Sequence, residues 1–531
     1  MKRLILTATL LLFSLAPSPA AEPALEIRIK AASEFVKHFE YFGTIAGQAE
    51  QAKQFADVVK TFAGDKGIIE GVDLNLPIGA YAVMTPGIVD SQLVVMLPVA
   101  NEKAFLNLLT TRLSLNPEKR DDGSYFLQAP GVGPALYFRV HKGYACFTIQ
   151  EPKNIEPEKL LDAKVFFAAK EDALISINMH IDRIPEELRK QFLGQLELAL
   201  KDANAAANKG EDAAKRFGRW LVADGAPRAI KSLMSEGKTL SLKLFVEPKN
   251  DDLTLVASLT ARDGSDLFKT LKSLPGKSAR ASKAAETKDA VVSFGLHAAL
   301  PDAMKKDLAK HIDEAINEAV KNAKGDEKEY VEKLMNCLDA TLKAGEYEFG
   351  AALTGTPGKL RAIAALKTVN GKDLEKLAKE VATFIPANEG GFEFDAIKLD
   401  SGNLHKITFP LPDLKRHFGS DAIWAKLGND LYVVGLEPDG DETKRIATLK
   451  PGAADMLTAT IAWTRFQTLV DKDTDPAIIK EVTKEVFGSS VASGADEIKL
   501  NISGGDQLTI KLNVKGKFLQ LVTAVEKKKK G

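Results

Sequence analysis

The stretch Ala173-Leu-Ile-Ser-Ile-Asn-Met-His180 alternates apolar and polar side chains from Ile175 onward, the period of a strand with one buried face. The elements after it decide the fold. Pro185 opens a helical region reaching Met234. Thr239 to Val246 and Leu253 to Leu259 then read as strands about the turn Glu247-Pro-Lys-Asn-Asp-Asp252, and Gly264-Ser-Asp-Leu267 starts a short helix.

The order strand, long helix, strand, turn, strand, short helix recurs in four copies. One copy starts at Ala290, turns at Thr354-Gly-Thr-Pro-Gly-Lys359 and has its short helix after Gly371-Lys-Asp-Leu374, which repeats the Gly-x-Asp-Leu at 264–267. The first copy runs from Leu25-Glu-Ile-Arg-Ile-Lys30 to a helix opened by Asn101, whose side chain suits the N-cap. The last runs from Leu457 to Val525, with Asp475-Pro476 as its helix start. Met304, Leu308, Ile312, Ile316 and Val320 fall four apart and predict one apolar stripe on a long helix.

Two strand-rich inserts also match. Ala135-Leu-Tyr-Phe-Arg with Gly143-Tyr-Ala-Cys-Phe-Thr-Ile-Gln-Glu151-Pro152 lines up with Ala422-Ile-Trp-Ala-Lys and Asp430-Leu-Tyr-Val-Val-Gly-Leu-Glu437-Pro438. The expected fold is therefore α+β: two duplicated halves, each of antiparallel sheets packed by long amphipathic helices. The halves span 21–274 and 290–526. Residues 275–289 lack an apolar period and read as a linker, and 527–531 form a basic tail.

Lys2 and Arg3, the apolar run Leu4 to Leu15, and the small residues Ser18 and Ala20 have the three-part anatomy of a signal peptide over 1–20, cleaved before Ala21. The expected location is outside the cytoplasm, either periplasmic or extracellular. No later stretch reaches the length of a transmembrane helix. Lys+Arg 72 against Asp+Glu 72 leaves no net basic field, which argues against a nucleic-acid partner.

The two inserts, together with the stretch from Val94 to Leu109, resemble a family of uncharacterised secreted bacterial proteins of unknown function. That resemblance implies export and a repeated α+β build. It implies no catalytic residue.

Chemical motifs are sparse. The histidines His38, His141, His180, His297, His311, His405 and His417 include no pair four apart, so the helical metalloprotease spacing is missing. His180 and His297 sit near the ends of strands that open two of the copies. Gly355-Thr-Pro-Gly358-Lys359-Leu360 imitates a phosphate loop, but Leu360 stands where a magnesium-binding hydroxyl belongs. Asp471-Lys-Asp473-Thr-Asp475 imitates a calcium loop, yet Pro476 replaces its glycine. Cys146 and Cys337 have the surroundings of small buried hydrophobes.

No catalytic, cofactor-binding or metal-binding residue is assigned from sequence, and no cofactor is expected. The first functional expectation is a non-catalytic secreted or envelope-associated scaffold that binds an unknown protein or envelope component. A carrier of lipid or another apolar ligand in helix-sheet grooves is the alternative. A secreted hydrolase without a recognisable motif is a third, which would need three or more polar groups converging in one cleft.

Overall fold

The computed structural model describes residues 22–530 except 64–66, 88–89, 129–134, 150, 169–170, 206–225, 276–277, 288, 326, 357, 370, 384–389, 401, 471–475 and 489–493. The signal peptide and the calcium-loop mimic lie outside the described residues. The chain is α+β, with antiparallel strands throughout the register and many helices. It divides into two compact units, residues 1–195 with 237–248, and residues 196–236 with 249–531.

The first unit contains β1 (Leu25–Ile29), β2 (Ile68–Ile69), β3 (Val72–Asp73), β4 (Ile78–Val83), β5 (Gln92–Pro98), β6 (Glu118–Lys119), β7 (Tyr125–Leu127), β8 (Leu136–His141), β9 (Tyr144–Thr148), β10 (Ile175–His180) and β11 (Gly237–Glu247). Apart from the small β2–β3 pair, they run in the order β6-β7-β8-β9-β5-β4-β1-β10-β11. Two helices, Ala32–Ile45 and Ala49–Ala63, connect β1 toward β4. Asn101 caps the helix Glu102–Thr111 as its sequence predicts, its Oδ1 accepting from the Ala104 amide at 2.9 Å. That helix buries Phe105 and Leu109 against Tyr125 and Phe138.

The second unit contains β12 (Asp252–Ala261), β13 (Ala290–Ala299), β14 (Glu346–Thr354), β15 (Arg361–Lys367), β16 (Gly391–Leu399), β17 (Gly402–Thr408), β18 (Ala422–Leu427), β19 (Leu431–Leu436), β20 (Leu457–Ala462), β21 (Glu497–Ser503) and β22 (Gln507–Lys515). Their order is β16-β17-β18-β19-β15-β14-β13-β20-β21-β22-β12. β12, which the sequence pattern places in the half 21–274, pairs along its length with β22 and belongs to this unit. The helix Asp302–Asn322 carries the expected stripe, each member half-buried.

Within the stretch expected as a linker, residues 279–285 include several that are buried. Ala279, Ala281 and Ala284 are fully buried, Ala281 and Ala284 within the unit's main core with Ile363, Val433 and Ile446. Small side chains explain why the stretch looks featureless in sequence. They let the backbone lie directly on β13 and β14, where glycines receive it: a β-carbon on Gly295 would stand 2.8 Å from Ser282 O, and Gly350 is blocked by Ala281 O. Buried Glu348 accepts the Arg280 and Ser282 amides, and an isolated bridge joins Ala279 to Gly452. In the expected basic tail, Lys528 is ion-paired. The last helix runs Gly516–Lys530, and Lys528 Nζ lies 2.9 Å from Glu481 and 2.8 Å from Glu485.

Candidate functional site

β14 and β15 carry apolar residues on both faces, as Phe349-Gly-Ala-Ala-Leu353 and Ala362-Ile-Ala-Ala-Leu366 show. Strands of that composition normally lie covered on both sides. Here, among the described residues, one side is covered: Ala352, Ile363, Ala365 and Val433 pack beneath the 281–284 segment and the helix Asp441–Ala447. The alternate residues face an open groove of about 460 Å³, a volume within the range of small-molecule sites.

Register builds this groove row by row. Phe294, Ala351, Ala364 and Val434 stand side by side on β13, β14, β15 and β19, followed by Val292, Leu353, Ala362 and Leu436. Alanines floor the middle strands while Phe294, Val434, Leu436 and Phe466 form the walls. Among the described residues, Ser293 is the single polar member of the lining. Phe294 and Val434 keep 37% and 40% of their surface exposed, unusual for large apolar residues on interior strands of a sheet. The same apolar face continues through β20, β21 and β22 to β12, where Ile510 and Leu255 are also exposed. This continuity of exposed apolar surface makes it the candidate binding face.

Two polar clusters are the rival sites. Glu375, Asp395 and His405 each offer a ligand atom, all within 4.8 Å of one another. Their hydrogen bonding does not suit a metal ion. The Asp395 amide donates to His405 Nδ1 at 3.0 Å, so the ring proton resides on Nε2 and no nitrogen lone pair is left over. Lys379 Nζ, 2.7 Å from Glu375 Oε1, already supplies positive charge. Burial lowers the His405 pKa below the ordinary histidine value, against the opposing pull of Glu375 and Asp395.

In the first unit, a cavity of about 500 Å³ is lined by Arg28, Lys30, Lys37, Glu34, Glu171 and neighbours. Its charges largely neutralise one another: Arg28 pairs with Glu26 at 2.7 Å, Lys243 with Glu171 at 3.2 Å, and Lys37 with Glu34.

The two strand-end histidines belong to separate units and different settings. His180 Nε2 lies 3.3 Å from Glu26 Oε1 and its Nδ1 3.3 Å from Thr239 Oγ1. His297 is buried, with Nε2 3.6 Å from Glu346 Oε1, longer than a hydrogen bond. The phosphate-loop mimic is the β14–β15 turn, where Gly355 and Gly358 take positive φ. Cys146 and Cys337 are free thiols.

Sequence reasoning does not find the groove, because alternation gives each strand two faces without saying which is covered. It also passes over His405, whose partners lie 10 and 30 positions away with no local pattern. No protein-family model matches the chain, and neither the curated proteins nor the solved structures contain a significant match to it.

Proposed function

We propose that the chain is an exported carrier that holds an apolar ligand, such as an acyl chain, against the open face of β13, β14, β15 and β19. One observation carries this reading: a groove of about 460 Å³ floored by alanine and walled by Phe294, Val434 and Phe466 in strands whose composition calls for cover on both sides. A ligand there would complete the missing layer, gaining roughly 25 cal/mol for each Å² of apolar surface removed from water. The near absence of polar lining favours a carrier over a hydrolase, which needs converging polar groups. Export rests on the anatomy of residues 1–20.

A duplicated build belongs to the same proposal. In each unit a central strand takes two neighbours (β1 between β4 and β10, β13 between β14 and β20), and the order continues through β5-β9-β8 and β15-β19-β18. The corresponding pairings support descent of both from one half.

The test is titration of the purified mature protein with cis-parinaric acid. Saturable fluorescence enhancement, competed by an unlabelled fatty acid, is expected. Absence of saturable binding, together with a dimer held through this face, would return the protein to the scaffold reading.

A further inference from the structure

The edge strand β16 pairs with β17 alone among the described residues, and its register slips between Glu393 and Ile397. Asp395 sits in that bulge at φ 58°, a left-handed conformation that non-glycine residues seldom hold without support. The support is His405 on β17. Its side chain is 3% exposed, and the ring packs edge-on to Phe394 with centroids 5.4 Å apart and accepts the Asp395 amide on Nδ1 at 3.0 Å. Asn403 Nδ2 holds the Asp395 carboxylate at 2.8 Å.

Protonation would reverse the polarity of this contact. A cationic ring carries a proton on both nitrogens, so Nδ1 and the Asp395 amide would meet donor to donor. Carboxylates already flank both positions: Asp395 Oδ1 is 3.7 Å from Nδ1, and Glu375 Oε1 is 3.7 Å from Nε2. Lys379, bonded to Glu375 on the helix Lys372–Ala382, is the opposing cation, and the cross-strand neighbour on β18 is the uncharged Ala425. Asp395 thus offers its amide to the neutral ring and its carboxylate to the charged one.

We propose that His405 and Asp395 form a pH-operated latch on the β16 bulge, closed while the ring is neutral and released when it is protonated. Release frees the Asp395 amide and removes the contact that fixes the bulge. Bulges keep exposed edge strands from pairing with other chains, so the latch controls how well this edge is guarded.

The experiment is hydrogen exchange of the full chain at residue resolution, corrected for intrinsic rates, between about pH 8 and about pH 4, which spans the ordinary histidine titration and extends below it. Nitrogen-labelled histidine spectra would report the ring's protonation in parallel. The expected result is an Nε2–H tautomer at neutral pH and a fall of about tenfold in Asp395 protection as the imidazolium forms, comparable with losing one neutral hydrogen bond. In His405→Asn the side-chain oxygen can replace Nδ1 as acceptor without titrating, and protection should persist through the same range. An Nδ1–H tautomer at neutral pH, or wild-type protection that is unchanged while the ring protonates, overturns the latch. So does a folded His405→Asn protein that loses protection in step with wild type. If that variant does not fold, the wild-type titration decides alone.

Discussion

The carbonyl oxygen of Ala281 fills the space that a β-carbon on Gly350 would need. A segment with no apolar period thereby becomes core, because a glycine on the neighbouring strand lets it approach. Gly350→Ala should destabilise the second unit by about 1–3 kcal/mol through overpacking, read as a lower urea midpoint with an unchanged slope. Wild-type stability in this variant would mean that the 281–284 segment yields easily and contributes little.

Asp496 is buried and accepts both the amide of Thr464, at 2.8 Å, and its hydroxyl, fixing the start of the helix Trp463–Val470. Asp496→Ala strands both donors and should cost about 2 kcal/mol. Asp496→Asn keeps one acceptor and should recover part of the loss in the same denaturation assay.

Glu26 supplies a pH dependence to the first unit. Burial opposes its ionisation, but the His180 hydrogen bond and the charges of Arg28 and Arg183 prevail and lower its pKa below 4.5. A carboxylate with a lowered folded-state pKa stabilises the protein above its unfolded value and loses that contribution as pH falls through the folded one. Acid unfolding below about pH 4.5 should therefore be shallower in Glu26→Gln than in wild type, measured by circular dichroism.

Filling the groove should separate ligand binding from folding. Ala364→Phe places a ring on the open floor and is expected to weaken cis-parinaric acid binding by about tenfold, with stability within about 0.5 kcal/mol of wild type. Undiminished binding would place the ligand elsewhere.

The two thiols should react at different rates. Burial pushes the Cys146 thiol up to about 12, and it lies in the core beside Met96 and Tyr144, whereas Cys337 is only partly buried. Iodoacetamide mapping of the native protein should find Cys337 alkylated first, since the thiolate is the reactive form.

Much of the scaffold is legible in sequence because strands and caps are local. Ile175 to His180, Leu25 to Ile29 and the Asn101 cap follow from alternation and capping chemistry. The features that escape are non-local. Ala281 and Ala284 become core only through Gly295 and Gly350, and His405 gains meaning only when folding brings Asp395 and Glu375 to its two nitrogens. The groove belongs to this second kind: Ala351 and Ala352 are adjacent and chemically identical, yet one lies in the open groove's floor and the other is buried in the core.

On the proposed carrier reading, the alanine floor would bear on exchange as well as capture. A methyl group exposes far less hydrocarbon than a leucine side chain, so the empty face costs the protein little while it waits in water. The same economy limits how tightly any one segment of a ligand is gripped. A hydrocarbon resting on Ala351, Ala362 and Ala364 would leave readily, which suits delivery to an acceptor better than long-term storage.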